Sequence, residues 1–444
     1  MRQERIIQAT IFEVFAEHEI GRELKAISQW LDEHRALLSL AARDLRRHGI
    51  QETGRHGLPA EAVVRCALLK QYRQLSYEEL AFHLEDSASF RAFARLPLSW
   101  SPRKSVLHKT ISAISATSWE AINRAVAGSA RQGKLESGAM VRIDSTVTQA
   151  LMHAPTDSSL LWDAVRVMVR LLASALPGAP SIIWRNHRRL AKKRALAIQY
   201  SRGKAQKAKL YRELIAATRA TVSTLEHAVQ PLAAGATIQA ELWLGQVRHY
   251  LPLIERIITQ AERRVLAGDA VPSGEKLVSL FETHADIIVK GGREVHYGHK
   301  LNLTTGKSGL ILDVVVETGN PADAERFLPM LERHIARQGA PPRQTASDGG
   351  YASLDNLKQA KALGVEDVAF HKKRALTIDA MVKSRWVYRK LKNFRAGIEA
   401  NISCLKRAFG LARCTWRGLD HFKAYVWSSV VAYNLTLFAR LNPT

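Results

Sequence analysis

Apolar positions along the chain follow two different periods. From Met1 to about Lys134 they recur at helical spacing, and Ile27, Trp30, Leu31, His34 and Leu38 fall on one i, i+3, i+4 stripe. Pro59 opens a predicted helix through Leu69, Ser76 caps a second over Tyr77–Leu84, and Ser101-Pro102 begins a third near Val106. This is a helix-turn-helix-like cluster. Arg65, Lys70, Arg73, Arg91, Arg95, Arg103, Lys104 and Lys109 make it basic, which suits either a DNA-reading face or a helical bundle with a solvated side.

At Met140-Val-Arg-Ile-Asp144-Ser-Thr-Val-Thr148 the period drops to two and β-branched residues appear, which predicts a strand. Thr156-Asp-Ser-Ser159 then caps a long helix, and helical patterns continue to about residue 268. Strand signals resume at 294–304 and 309–317, joined as a hairpin by Thr305-Gly-Lys-Ser308. A helix from Asn320-Pro321 to Gly339 follows, then a short strand ending at Asp348, a helix Ser353–Leu363 and a strand Val365–Phe370. Two long helices, about Ile378–Phe409 and Leu419–Leu441, close the chain. This order describes an α/β fold, a mixed sheet flanked by helices. The expected organisation is an all-helical domain over 1–135 and an α/β domain over 136–444, with a long helical stretch at about 157–270.

A chain of 444 residues with 46% apolar residues is large enough for more than one core. Its formal charge of +24 calls for a partner that rewards cations, nucleic acid first and acidic lipid second. Lipid is disfavoured because no uncharged run is long enough to span a bilayer; Ala424–Ala439 comes nearest, and its Ser428, Ser429, Asn434 and Thr436 suit a buried helix better. The N-terminus is too densely charged for a signal peptide. Cys66, Cys404 and Cys414 are too few and scattered for a disulfide framework or a zinc site, so the expected home is the cytoplasm, at the nucleoid. Between Arg185 and Arg212 stand eleven basic residues and no acidic one, among them Arg188, Arg189, Lys192, Lys193 and Arg194. A run this one-sided is expected to lie along DNA, although a solvated helix face has the same composition.

Phosphoryl transfer on DNA needs the charge on the attacking and leaving oxygens neutralised, commonly by two metal ions roughly 3.5–4 Å apart. Magnesium needs only a few carboxylates, brought together from separate elements. Asp144 in the first strand, Asp348 at the end of a short strand before Gly349-Gly350, and Glu399 on the penultimate helix are the candidates. Each has an ordinary reading as well: a capping Asp, an Asp-Gly turn, an exposed ion-pair ladder. Arg395, Glu399 and Lys406 share one helix face, within an arc of about 40° at ~100° per residue. His296 and His299 share a strand, and a core or solvated pair is their ordinary reading.

At these residues the sequence resembles bacterial insertion-sequence transposases with a DDE site on an RNase-H-like fold, and in particular the ISNCY-type group. Leu58–Lys70 and Ser76–Leu80 are similar to the family's N-terminal domain, Arg142-Ile-Asp144-Ser-Thr to its first-strand motif, and Ser347-Asp348-Gly-Gly-Tyr351 to its second. Lys290–Lys300 resembles its second strand, and Gly319-Asn320 with Asp323 the turn that follows. The sharpest likeness is a signature of Arg, three residues, Glu, six residues and Lys, which Arg395, Glu399 and Lys406 reproduce. That signature has Tyr three positions before its Arg, where this chain has Lys392.

The resemblance implies that Asp144, Asp348 and Glu399 ligate Mg2+, with Mn2+ able to substitute, and that Arg395, Lys406 and Lys392 lie near DNA phosphates. It implies cleavage at the ends of an insertion sequence, joining of the freed 3′-hydroxyls to target DNA, and a homodimer or larger assembly on double-stranded DNA that carries terminal inverted repeats. It implies that the helical stretch at about 157–270 is an insertion, whose basic run extends the DNA surface. A non-catalytic DNA-binding derivative and a stand-alone RNase-H-like nuclease are the alternatives.

Overall fold

The strand predicted at Met140 forms, and the sheet grows on both of its sides. The computed structural model describes residues 18–48, 57–97, 99–175, 184–234, 237–290, 294–372 and 375–442. The helical pattern expected over residues 1–17 and the Gly291-Gly292-Arg293 part of the second-strand likeness fall outside the described residues. By packing, residues 1–151 and 298–444 form one compact unit and residues 152–297 a second.

Among the described residues of the first unit seven α-helices precede the sheet: α1 (Glu19–Glu33), α2 (Leu38–Arg47), α3 (Ala60–Tyr72), α4 (Tyr77–Asp86), α5 (Ala88–Phe93), α6 (Lys104–Ile111) and α7 (Ala116–Gln132). Ser76 caps α4 as its sequence predicts: its Oγ accepts from the Glu79 N–H while the Glu79 carboxylate accepts from the Ser76 N–H. Of the eight basic residues of this cluster, Arg73, Arg103, Lys104 and Lys109 are exposed, and the other four are buried. Arg65 is wholly buried, donating to Glu61, Asp32, Ser28 and the Phe93 carbonyl. Arg95 pairs with Asp32 and Glu61, and Arg91 donates to the carbonyls of Leu84, Pro97 and Trp100. Lys70 is buried over the Tyr77 ring. A buried charge must be paired or hydrogen-bonded, so Arg65, Arg91 and Arg95 are internal fasteners.

Strand β1 (Met140–Gln149) has β3 (Glu294–Gly306) antiparallel on one side, with Asp144 opposite Leu303, and β5 (Gln344–Ser347) parallel on the other, with Ile143 beside Ser347. β4 (Ile311–Val316) pairs antiparallel with β3, and β6 (Asp367–Phe370) pairs parallel with β5. A strand the sequence pattern missed, β2 (Asp286–Lys290), precedes β3 in the sheet order β2-β3-β1-β5-β6. The parallel strands need crossovers, and α12 (Asp323–Gln338) and α13 (Leu354–Ala362) supply them. The result is a mixed six-stranded sheet flanked by helices.

The helix expected over Ile378–Phe409 is two helices, α14 (Ile378–Met381) and α15 (Arg385–Ala408). Val382 is extended, the Lys383 N–H donates to Asp367, and Ser384 starts α15 by capping the Val387 N–H at 3.2 Å. The last helix, α16 (Leu419–Leu441), is buried along nearly its whole length. Its polar residues are satisfied internally: Asn434 accepts from the Ile311 N–H and donates to the Ile311 carbonyl and to Asn123 of α7.

The second unit packs α8 (Asp157–Ala175), α9 (Arg188–Tyr200), α10 (Lys204–Ala234) and α11 (Ile238–Ala261) around Leu161, Val165, Met168, Leu214, Leu225, Ile254 and Ile258. Among the described residues no helix is long and apolar enough to cross a membrane.

Candidate active site

Asp144 sits in the middle of β1, held by its own strand: the Ser145 N–H donates to Asp144 Oδ1 at 2.8 Å. Because β5 runs parallel to β1 with Ile143 beside Ser347, Asp348 emerges next to Asp144 where β5 ends. The turn that follows requires glycine for space. A Cβ on Gly349 would lie 2.5 Å from Lys372 Cβ, and one on Gly350 would lie 2.7 Å from Asp323 Oδ2. Neither glycine has a positive φ, so close approach and not backbone freedom explains the pair.

The third carboxylate arrives on α15. Val387, Leu391, Ile398 and Leu405 form the buried stripe of that helix, which leaves Arg395 and Glu399 at its border. Arg395 joins all three acids: Nη2 lies 3.2 Å from Asp144 Oδ2 and 3.8 Å from Asp348 Oδ1, and Nη1 donates to Glu399 Oε1 at 2.8 Å. Side-chain exposure rises from 13% at Asp144 through 43% at Asp348 to 65% at Glu399, so the group has a floor and an open rim. Among the described residues no group of three or more His, Cys, Asp or Glu is arranged to hold a metal ion directly; the guanidinium is the cation these acids share. Three carboxylates without thiolate or imidazole form a hard-oxygen donor set, the chemistry that suits magnesium or manganese.

Sequence reasoning missed what fixes α15 to the sheet. Arg142, two residues before Asp144, is buried and donates to Thr305 Oγ1 at 2.8 Å, to the Phe394 carbonyl at 2.7 Å and to Asn401 Oδ1 at 2.6 Å. It passes beneath Gly397, where a Cβ would meet Arg142 Nη1 at 2.3 Å. Burial lowers its pKa. The available signal was an arginine between the apolar Val141 and Ile143 of the strand.

On the other face of the sheet Tyr351 donates to Asn302 at 2.8 Å, Asn302 donates to Glu317 at 2.8 Å, and Arg326 pairs with Glu317 at 2.8 Å. Burial first, and then the nearby Asp323 and Asp144, push the Tyr351 hydroxyl well above its ordinary pKa. Lys300 pairs with Asp323 at 2.6 Å beneath the Gly350 turn. These residues, unassigned from sequence, underpin the end of β5.

Lys392 is exposed on α15, and Lys406 is half-buried further along the same helix. Tyr388 donates to the carbonyl of Phe370, and Phe394 lies under the Arg142 guanidinium, so both are used internally. His299 is a core residue, donating to the Glu317 carbonyl against the Phe422 ring, and His296 lies 3.5 Å from Glu294. In the second unit Arg188, Arg189, Lys192 and Lys193 are exposed, while Arg194 pairs with Glu213 at 2.5 Å. Arg188, Arg189 and Lys192 line an open cleft of about 600 Å³ with Trp162 and Asn186.

Comparison with known proteins gives two matches. Residues 279–435 match the family described as "Transposase DDE domain", and residues 13–114 match "Transposase domain (DUF772)". The first stretch contains Asp348, Arg395 and Glu399; Asp144 lies in neither, and its place beside Asp348 comes from the sheet register. No curated protein and no solved structure matches the chain. The DDE domain implies an RNase-H-like fold, and the observed order suits it: an antiparallel run from β1 through β3 to β4, then β5 and β6 parallel to β1. The chain therefore carries a stretch similar to the transposase DDE domain and a second similar to another transposase domain, consistent with an insertion-sequence transposase of the DDE type.

Proposed function

We propose that the chain cuts the ends of its insertion sequence and joins the freed 3′-hydroxyls to target DNA, with Asp144, Asp348 and Glu399 as catalytic metal ligands. The observation that carries this reading is the convergence of three carboxylates from β1, the end of β5 and α15 on the single guanidinium of Arg395.

The donor set fits Mg2+, with Mn2+ as substitute; when bound, such ions neutralise charge on the scissile phosphate and activate the attacking oxygen. The protein's part is positional. Asp144, restrained by the Ser145 amide, forms the floor, and Asp348 is set by the crowded Gly349-Gly350 turn. Glu399 at the exposed rim is the ligand best placed to follow the substrate. Arg395, which shields the acids from one another, and Lys406 further along α15 supply cations for DNA phosphates, with Lys392 one turn before Arg395.

The helical residues 1–135 serve as the DNA-binding and assembly region, and residues 136–444 as the catalytic domain. The exposed cations of α9, Arg188, Arg189, Lys192 and Lys193, give the helical insertion a DNA-contacting surface of its own. The partners are double-stranded terminal inverted repeats and target DNA at the nucleoid. Two ends must be held at once, so the acting form is a homodimer or a larger complex.

The test incubates the purified chain and Mg2+ with duplexes spanning the borders of its own element, comparing wild type with Asp144→Asn, Asp348→Asn and Glu399→Gln. Each variant is expected to lose cleavage and joining while retaining DNA binding; an active variant removes that residue from the site.

A further inference from the structure

The first half of α15 carries a feature that the three carboxylates do not use. Between Asp379 and Glu399 the chain has six basic residues and no acidic one. Arg385, Arg389, Lys390 and Lys392 are exposed, and among the described residues none of them has an ion-pair partner. Trp386 stands among them 67% exposed, with Lys390 Nζ 5.3 Å from its ring centre. A large aromatic in solvent beside a row of cations without ion-pair partners is the composition of a surface that meets nucleic acid.

Its reach follows from helix geometry. Trp386 and Glu399 are 13 residues apart on one continuous helix, about 20 Å at ~1.5 Å per residue, which is the length of roughly six base pairs at ~3.4 Å each. We infer that this half of α15 is a track for double-stranded DNA, gripping the phosphate backbone for about six base pairs to one side of the point of cleavage, with Trp386 against the sugars at its far end. The inference rests on the DNA-cutting reading for the position of the cleavage point, and the track itself is tested without cleavage.

The full-length chain is titrated, without divalent metal, against a 40-base-pair duplex of mixed sequence at a series of salt concentrations. Each lost phosphate contact reduces the slope of log K against log salt by ~0.9, so Arg385→Gln/Arg389→Gln/Lys392→Gln, which share the face of Glu399 at ~100° per residue, are together expected to reduce it by about 2.7, and Arg389→Gln alone by about 0.9. Trp386→Ala is expected to weaken binding and Trp386→Phe to restore it. A slope unchanged in the triple variant, with circular dichroism confirming that it is folded, overturns the track. So does a 40-nucleotide single strand that competes as well as the duplex, which would assign the surface to unpaired DNA. In a second arm, border duplexes with 0 to 12 base pairs of flank are cut. Wild-type rate is expected to rise up to about six base pairs, and the triple variant to lose that dependence. Cleavage that persists in Asp144→Asn would refute the catalytic reading and leave the salt-slope result standing, so the two failures are distinguishable.

Discussion

Replacing Arg65 with methionine separates two opposite uses of a basic residue in the N-terminal helices. Arg65 is wholly buried and donates to Glu61 at 3.0 Å, Ser28 at 2.8 Å, Asp32 at 3.2 Å and the Phe93 carbonyl at 3.2 Å. Burial is also the largest influence on its pKa, which falls to about 10. Glu61, 3% exposed, would keep Arg95 as its cation. Removing one member of a buried ion-pair network costs ~3–5 kcal/mol, against a total stability of ~5–15 kcal/mol. At ~2–4 °C per kcal/mol, the melting temperature should fall by roughly 6–20 °C. Urea and thermal melts measure the loss, and Arg65→Met/Glu61→Met should cost less than the sum of the two single changes, because the Arg65–Glu61 pair is then lost only once. The salt slope of DNA binding should not change. A loss below about 1 kcal/mol accompanied by a slope reduced by ~0.9 would mean that Arg65 faces phosphate, and the fastening argument would fail.

Other outcomes follow from the same geometry. Gly397→Val drives a branched side chain into the Arg142 guanidinium, 2.3 Å from where a Cβ would stand, so α15 must shift; cleavage should fall by at least tenfold while duplex binding persists, as strand-cleavage and binding assays on one preparation would reveal. Lys70, buried over Tyr77, has its pKa lowered from 10.5 to about 8, chiefly by burial. Its folded pKa lies below its unfolded one, so the stability it costs when charged returns as pH rises from about 8 to 10.5; wild type should gain about 2 kcal/mol on Lys70→Met between pH 7.5 and 10 in urea melts. Cys66 is buried with its thiol pushed up to about 12 by desolvation, and Cys414 is buried too, so native alkylation should label Cys404 alone and denaturation should release the other two.

Much of the fold was legible because its signals are local. The alternation at Met140–Thr148, the Thr305–Ser308 turn and the apolar stripes of the last helices each depend on a few adjacent residues. What was not legible depends on partners far away in sequence. The Asp286–Lys290 strand offers only a three-residue apolar run, too short to show a period, and becomes a strand by pairing with β3. The break between α14 and α15 is set by Asp367, which captures the Lys383 amide. The basic tally over residues 65–109 left a DNA face and a helical bundle with a solvated side equally open because charge is visible in sequence and burial is not; Asp32, which neutralises Arg65 and Arg95, lies more than thirty residues away from both. For the site, Asp348 and Glu399 stood out through their motifs, whereas Arg142, Gly397 and the Tyr351–Asn302–Glu317 chain act through contacts that no spacing encodes.

The central claim is that Asp144, Asp348 and Glu399 form one divalent-cation site at a DNA phosphate. Its most direct measurement counts bound Mn2+ by electron paramagnetic resonance in the complex of the full chain with a border duplex, for wild type and for Asp144→Asn/Asp348→Asn. The account predicts about two tightly held ions per wild-type site and none in the double variant, with DNA affinity unchanged. Equal Mn2+ stoichiometry in the two proteins would contradict it.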